Sequence, residues 1–244
     1  MPRPELSESF FDQRGWAVRC EWGAHGIAQL ASTSDALVIV DVLSFSTCVD
    51  IAVSRGASVL PYHRREDAAA FASAQGALLA GARDAPHGYS LSPASLRAIP
   101  SGTRLVLPSP NGATLSMAAG ATPTFAACLR NAAAVARAAR RYGPRVSVIP
   151  AGERWGDGSL RPAIEDLIGA GAVIAHLDGE RSPEALVALH AFLGARDRLA
   201  DVLAMCSSGR ELAGRGFAED IALAAELDVS GCAPVLRDGA YVRC

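Results

Sequence analysis

The stretch LVIVDVLSFST, residues 37–47, decides the fold class of this chain. Residues 37–40 are a short run of leucine and β-branched residues, which is the composition of a buried strand. The run ends at Asp41, and a helical stretch follows over 48–55, where a glycine ends it. A buried strand that leads directly into a helix is typical of a sheet built from alternating strands and helices.

The same alternation continues along the chain. Further strands are predicted at 57–62, 77–80, 104–107, 124–129 and 145–149, and further helices at 65–75, 114–119, 131–142 and 162–170. The last quarter predicts helices at 184–193, 197–205, 210–213 and 218–227, and then a hairpin over 233–242. We therefore expect one α/β domain over residues 1–244, with helices on both faces of a mostly parallel or mixed sheet. The alternation of strands and helices is also compatible with two similar halves, residues 36–110 and 124–230.

Composition excludes several classes of protein. Half of the 244 residues are hydrophobic and the mean hydropathy is +0.20, so the chain can bury a large core and is not disordered. All 23 basic residues are arginine, which excludes a Walker A phosphate loop and Schiff-base chemistry, because both need lysine. The net charge of −2 argues against a nucleic-acid partner.

Location and redox state are also suggested by the sequence. The N-terminal stretch has no apolar core of a signal peptide, and no apolar run approaches the ~20 residues that span a bilayer. We expect a cytoplasmic protein that does not enter the membrane. The six cysteines show no C-x-x-C spacing, so they are expected to be reduced core residues rather than metal ligands.

Polar residues follow four of the predicted strands, at the edge where parallel sheets bind ligands. The four groups are Asp41 with Ser44, Ser46 and Thr47; Ser109 with Asn111 and Gly112; Arg130 with Asn131; and Glu153 with Arg154 and Asp157. Hydroxyl groups, an Asn-Gly turn and free N–H groups at helix starts favour anions. Arg130 and Arg154 could add bidentate contacts to a phosphate or sulfonate group.

Carboxylates at the same edge predict a metal ion. Asp41 is the sharpest signal, because a carboxylate that ends a buried strand is costly unless it is paired or bound to a metal. Glu165 and Asp166 lie in the first turn of the helix that follows the glycine-rich loop over 151–159. Carboxylates beside an anion site would repel the ligand unless a hard cation lies between them, and Mg²⁺ takes oxygen ligands and bridges to phosphate.

Each of these groups also has a purely structural interpretation. Ser46 and Thr47 are good helix caps, and Asn111-Gly112 is an ordinary turn sequence. Glu165 and Asp166 would stabilise a helix N-terminus through the helix dipole alone. It is their convergence on one edge of the sheet that favours a functional site.

Six segments, in this order, resemble the 2-phosphosulfolactate phosphatase family. They are VIVDVLSFST (38–47), SLSP (90–93), LPSPNGAT (107–114), ACLRNA (127–132), PAGERWGDGSLRPAIEDLIGAGA (150–172) and SSGRELAGRGFAEDIALAAELD (207–228). The resemblance implies an α/β/α architecture and magnesium-dependent hydrolysis of the phosphate ester of a small 2-hydroxy acid in the coenzyme M pathway. The family's motif positions fall on Asp41, Ser46, Thr47, Asn111, Gly112, Asn131, Gly152, Glu165, Asp166 and Asp220.

The chain departs from the family pattern at three places. Ser44 stands where many members have arginine, Ala82 where many have glutamate, and residues 108–110 where many have threonines. The change at Ser44 indicates a different acid group on the substrate. The change at Ala82 indicates a weaker metal site or an inactive member. Family membership is therefore expected more firmly than the identity of the substrate.

We predict a Mg²⁺-dependent phosphatase that acts on 2-phospho-3-sulfolactate or a close relative. The predicted roles are metal binding for Asp41, Glu165 and Asp166; catalysis for Asp41, Ser46 and Arg154; and substrate binding for Thr47, Ser109, Asn111, Gly112, Arg130, Asn131 and Gly152. Attack by water and phosphorylation of Ser46 both remain open, as does a homodimer. The alternative is a catalytically impaired member that binds small anions or acts as a regulator.

Overall fold

The structure is a computed structural model, and it describes residues 10–63, 66–85 and 88–244. Arg65, the predicted start of one helix, lies outside the described residues, as do the first nine residues of the predicted domain. No helix formed by the described residues is both long enough and apolar enough to cross a membrane.

The described part of the chain alternates between strands and helices, as the sequence predicts. The strands are β1 (Val18–Cys20), β2 (Ala36–Val40), β3 (Ser58–Tyr62), β4 (Leu78–Leu79), β5 (Arg104–Pro108), β6 (Thr124–Ala127), β7 (Val146–Pro150), β8 (Glu153–Arg154), β9 (Leu160–Arg161), β10 (Pro234–Arg237) and β11 (Ala240–Arg243). The α-helices are α1 (Gly23–Leu30), α2 (Phe45–Ser54), α3 (Ala68–Ala74), α4 (Gly112–Ala118), α5 (Ala132–Ala139), α6 (Ile164–Ala175), α7 (Pro183–Ala195), α8 (Leu199–Met205), α9 (Ser207–Gly214) and α10 (Ala218–Ala224).

Three features are present that the sequence does not predict. Strand β1 has only three residues with Arg19 in the middle, so it carries no clear apolar run. Helix α1 follows it without a side-chain cap and contains Gly23 and Gly26, both poor helix formers. The glycine-rich loop over 151–159 contributes to a small hairpin, β8–β9, which has two residues in each strand.

Nine of the strands form one mixed sheet in the order β1-β7-β2-β6-β10-β11-β3-β5-β4. The groups β1-β7-β2-β6 and β3-β5-β4 are each parallel, and the antiparallel hairpin β10–β11 lies between them. This confirms the predicted α/β class. In this sheet β2 lies between β6 and β7 rather than beside β3.

Helices pack against both faces of strand β2. Val38 and Val40 lie in a core that includes residues of α5, α6 and α7. Leu37 and Ile39 point to the other face, where they pack with residues of α1 and α4. This alternation is the normal side-chain geometry of a strand, and it places a helical layer on each side of the sheet.

Candidate functional site

Asp41 joins the starts of two helices. It is the first residue after β2, and its side chain is only 6% exposed. Its Oδ1 atom accepts a hydrogen bond from the N–H of Phe45 at 3.0 Å, at the beginning of α2. Its Oδ2 atom accepts one from the N–H of Gly112 at 2.8 Å, at the beginning of α4. The carboxylate therefore holds the loop after β2 against the loop after β5.

Asp166 does the same for a second pair of loops. It lies in the first turn of α6 and is 3% exposed. Its two carboxylate oxygens accept hydrogen bonds from the N–H groups of Val42 and Gly152, both at 2.8 Å. The loops that follow β2 and β7 are thereby fixed to the start of α6.

Two further carboxylates complete what we call the carboxylate cluster: Asp41, Glu153, Glu165 and Asp166. Glu165 is buried beside Asp166 at the start of α6. Glu153 is half-buried in β8, and its Oε2 atom accepts a hydrogen bond from Nδ2 of Asn111 at 2.8 Å. Nowhere in the described residues does an ion pair link an arginine to any of these four side chains.

Burial and mutual repulsion favour protonation of three members of the cluster, Asp41, Glu153 and Asp166. Burial, with the charge of Glu165 as a smaller cause, raises the pKa of Asp41 to about 6. Burial raises the pKa of Asp166 well above its usual value, and the charges of Asp41 and Glu165 raise it further. Burial and then the charge of Asp41 raise the pKa of Glu153 to about 7. Such a concentration of unneutralised carboxylates attracts a cation.

The donor chemistry of the cluster fits a hard cation, although the side chains do not form a complete metal cage. Across residues 10–63, 66–85 and 88–244, no group of three or more His, Cys, Asp or Glu side chains is arranged to hold a metal ion. Mg²⁺ does not need such a cage, because it usually binds one or two carboxylates and keeps water and substrate phosphate as its other ligands. Oxygen donors at Asp41 and Glu165 are consistent with that mode.

Ser46 and Thr47 are part of the loop structure rather than exposed reactive groups. Both are fully buried in the first turn of α2. The Ser46 hydroxyl accepts a hydrogen bond from the N–H of Asp41 and donates one to the carbonyl of Ile39. The Thr47 hydroxyl donates to the carbonyl of Val42 at 2.7 Å. Both hydroxyls therefore satisfy backbone groups of β2 and the loop before α2, and neither caps the helix, whose N-cap residue is Ser44.

The loop over 109–112 reaches the cluster, but it binds the protein's own carboxylates. Ser109 is buried and its Oγ atom accepts the N–H of Asn111 at 3.3 Å. The N–H of Gly112 is engaged by Asp41, and the side-chain amide of Asn111 by Glu153. The turn that the sequence predicts to bind an anion therefore lies at the expected edge of the sheet. Its N–H donors, however, are bonded to the protein's own carboxylates, Asp41 and Glu153.

Arg130 and Asn131 lie elsewhere. Arg130 forms ion pairs with Asp50, at 3.1 Å, and with Glu226, and it also donates to the carbonyl of Leu223. Asn131 is fully buried, and its Oδ1 atom accepts the N–H of Cys128 at 2.9 Å. The structure does not bring either residue to the carboxylate cluster, because both are taken up by neighbours at the other end of α2.

Gly152 and Arg154 flank a cavity next to the cluster. Gly152 has a φ of +69°, and its N–H donates to Asp166, so glycine is needed there for the backbone conformation. Arg154 is exposed in β8, and its guanidinium donates to the carbonyl of Gly158 at 3.1 Å. A cavity of about 300 Å³ is lined by Asn111, Glu153, Arg154 and residues of α1. Arg154 is thus placed where an anion could enter.

Sequence reasoning missed two residues at this site. It noted Glu153 as polar but gave the catalytic role to Arg154, because burial cannot be read from a loop sequence. Arg83 was overlooked, although it follows a predicted strand that ends at residue 80, the same signal that identified Asp41. Arg83 forms an ion pair with Asp220 at 2.6 Å and donates to Oγ of Ser44 at 3.2 Å.

Comparisons with known proteins identify the family to which the chain is similar. A model of the 2-phosphosulpholactate phosphatase family matches residues 25–239. The 2-phosphosulfolactate phosphatase of Methanothermobacter thermautotrophicus is 33% identical over 211 residues, which cover 84% of this chain and 88% of that protein. Probable 2-phosphosulfolactate phosphatases of Symbiobacterium thermophilum and Pseudothermotoga lettingae are 30% and 24% identical, and the matches cover 92% and 94% of those proteins. The same two matches cover 84% and 87% of the present chain.

Proposed function

The chain belongs to the 2-phosphosulfolactate phosphatase family of phosphoric monoester hydrolases, and from that premise we propose that it is a Mg²⁺-dependent phosphatase that hydrolyses 2-phosphosulfolactate or a close relative. The substrate carries a phosphate ester, a carboxylate and a sulfonate. The products are sulfolactate and inorganic phosphate.

The observation that carries this proposal is the carboxylate cluster. Four acidic side chains share one site, and within the described residues no arginine forms an ion pair with them. A site with that charge binds a phosphorylated acid only if a cation lies between them. We assign the metal to Asp41 and Glu165. Bound there, Mg²⁺ supplies positive charge that stabilises the phosphoryl oxygens in the transition state.

Asp166, like Asp41, holds two loops together through its carboxylate. Both of its oxygens accept short hydrogen bonds from the backbone N–H groups of Val42 and Gly152. It thereby fixes the position of the loop that carries Asp41 relative to α6, which carries Glu165. We propose that Asp166 sets the distance between those two metal-binding side chains.

Glu153 and Arg154 face the cavity from the hairpin β8–β9. Glu153 is only half-buried and is oriented by Asn111, so it can exchange a proton with solvent at neutral pH. Arg154 is exposed and could contact an incoming anion there. The role of Arg154 in substrate binding remains a prediction.

Water is the nucleophile that this geometry favours. The Ser46 hydroxyl is fully buried and bonded to backbone groups on both sides, so it is not presented to a phosphate. In the proposed reaction, water attacks phosphorus, the bond from phosphorus to the ester oxygen breaks, and that oxygen leaves with a proton.

The test is phosphate release from 2-phosphosulfolactate before and after removal of divalent cations with a chelator. We expect activity to fall by about 100-fold or more and to return on addition of Mg²⁺. Undiminished turnover after chelation would contradict the metal assignment. Binding of sulfolactate without hydrolysis of any phosphomonoester, with Mg²⁺ present, would instead favour the non-catalytic anion-binding alternative.

A further inference from the structure

Arg83 lies at the edge of the carboxylate cluster and has no role in the function proposed above. Its side chain is only 10% exposed. One terminal nitrogen, Nη1, forms an ion pair with Oδ2 of Asp220 at 2.6 Å. The other, Nη2, donates to Oγ of Ser44 at 3.2 Å, so the guanidinium reaches the residue that precedes α2.

Asp220 fixes the position of this guanidinium. Asp220 is buried, and its Oδ1 atom accepts hydrogen bonds from Oγ of Ser92 at 2.6 Å and from the N–H of Ala94 at 3.0 Å. The guanidinium also lies over the ring of Phe217, at 5.2 Å from its centroid. A cation held in this way loses little further freedom when it binds a ligand, which favours selective binding.

The charge of Arg83 is less neutralised than that of Arg130. Arg130 forms ion pairs with two carboxylates, Asp50 and Glu226, and donates to a backbone carbonyl as well. Among the described contacts, Arg83 faces the single carboxylate of Asp220 and one hydroxyl. A guanidinium has five N–H donors, so Arg83 can accept an additional anionic partner.

Arg83 is also close enough to the cluster to act on the same ligand. Ser44, which it contacts, is three residues from Asp41 along the chain. The N–H of Phe45, the residue directly after Ser44, donates to Oδ1 of Asp41 at 3.0 Å. An anion bound by Arg83 would therefore lie beside the metal site proposed at Asp41 and Glu165.

We propose that Arg83 is a specificity-determining residue that binds the carboxylate or sulfonate group of the substrate, the acid group that is not esterified. Asp220 is its positioning residue. This inference rests on the proposed function, because it assumes that the phosphate of the same substrate binds at the carboxylate cluster. Planar guanidinium groups suit this task, since they bind carboxylate and sulfonate oxygens with two parallel hydrogen bonds.

The test compares two substrates in the variant Arg83→Gln. For 2-phosphosulfolactate we expect kcat/KM to fall by about 10- to 100-fold, mainly through KM, which is the effect of losing a hydrogen bond to a charged group. For p-nitrophenyl phosphate, which lacks the second acid group, we expect a change of less than about 3-fold. Arg83→Lys should recover part of the loss because it keeps the charge. Arg97→Gln is the matched control, since it removes an exposed arginine that pairs with Glu219 on the same helix as Asp220.

An equal loss for both substrates would overturn the inference, because Arg83 would then act on the phosphate, the metal or the fold. Calorimetric binding of sulfolactate and of inorganic phosphate decides the question without turnover. Weaker binding of sulfolactate alone by Arg83→Gln supports the inference, whereas unchanged binding, or no binding by the wild type, overturns it. If Arg83→Gln does not fold, Arg83→Lys takes its place in the same two measurements. Wild-type protein that hydrolyses neither substrate refutes the proposed function, while the binding measurement still decides the role of Arg83.

Discussion

The two ends of helix α2 each hold a buried aspartate, and the two aspartates are neutralised differently. Asp50, in the second half of α2, forms an ion pair with Arg130 at 3.1 Å and accepts a hydrogen bond from Oγ of Ser230 at 2.6 Å. Asp41, just before the helix, receives only backbone N–H groups and lies among other carboxylates. At the Asp50 end an arginine neutralises the carboxylate; at the Asp41 end no ion pair among the described residues does so.

The same difference explains why some of the predicted site residues have only structural partners in this fold. Arg130 and Asn131 follow a strand just as Asp41 does, and the sequence gives them the same kind of role. In the structure they belong to the Asp50 end, where each polar group has a partner within the protein. A charged residue at a strand end therefore indicates a ligand site only when its partners are not supplied by the fold.

The largest expected effect comes from exchanging each aspartate for asparagine. Asp41→Asn should lower kcat/KM by about 1,000-fold, since a metal contact contributes several kcal/mol in the transition state. It should lower Tm by only a few degrees, because asparagine keeps one of the two oxygens that accept backbone N–H groups. Asp50→Asn should leave kcat/KM within about 3-fold. It should lower Tm by roughly 5–10 °C, because it weakens a buried ion pair worth about 3 kcal/mol. Steady-state kinetics and thermal melts of both variants check this, and the reverse pattern would contradict the comparison.

Burial raises the pKa of Asp50 as well, so the pH dependence of stability distinguishes the two aspartates only when each is replaced in turn. The pKa of Asp41 is raised to about 6 and that of Glu153 to about 7 in the folded protein. Because both values lie above those of the unfolded chain, the stabilisation is fully present below pH 4 and is lost as pH rises through 6 and 7. For Asp41 alone the loss reaches roughly 3 kcal/mol.

Thermal melts of metal-free protein between pH 5 and 8 measure this loss. We expect Tm to fall with rising pH, and we expect Mg²⁺ to restore it at pH 8 but not at pH 5. In Asp41→Asn the fall should be smaller, and the difference between the two profiles isolates Asp41. A Tm of the wild type that does not depend on pH over this range would argue against an unneutralised cluster.

A substitution at Gly112 tests how closely the residues around Asp41 are packed. Its φ is not positive, so a larger residue is opposed by contact rather than by backbone conformation. A Cβ atom there would lie 2.8 Å from Oδ2 of Asp41 and would collide with the ring of Phe45. Gly112→Ala should displace Asp41 and lower kcat/KM by about 100-fold. Gly194→Ala, on an exposed turn of α7 where nothing lies within 4 Å, is the control and should have no effect on kinetics. Equal kinetics for both variants would place Gly112 outside the active site.

The smallest effect is expected for two asparagines, Asn111 before α4, which contacts the carboxylate cluster, and Asn131 before α5, which contacts Cys128. Asn111→Ala removes the hydrogen bond that orients Glu153 and should lower kcat/KM by about 10-fold without a change in Tm. Asn131→Ala removes the acceptor for the N–H of Cys128 and should lower Tm by a few degrees with normal kinetics. Kinetic and melting data on the pair would refute the assignment if Asn131→Ala, and not Asn111→Ala, impaired turnover.

Much of the fold and part of the site could be predicted from the sequence. The apolar runs predict β2, β5, β6 and β7, because buried parallel strands need continuous β-branched and leucine residues. The family match confirms the resemblance, which implies that Asp41, Glu165 and Asp166 occupy positions of the family's motifs. The short strand β1 and the hairpin β8–β9 could not be predicted, since two or three residues carry no periodic signal.

The sequence by itself determined the α/β class and the family, because hydrophobic periodicity and ordered motifs are local properties of the chain. Only the tertiary structure decided how those residues are used. The insertion of β10–β11 between two parallel groups, the pairing of Arg130 with Asp50 and the approach of Arg83 to Ser44 join parts of the chain 39 or more positions apart. Whether a buried charge is neutralised depends on such distant partners, since electrostatic interactions follow distance in space rather than position along the chain.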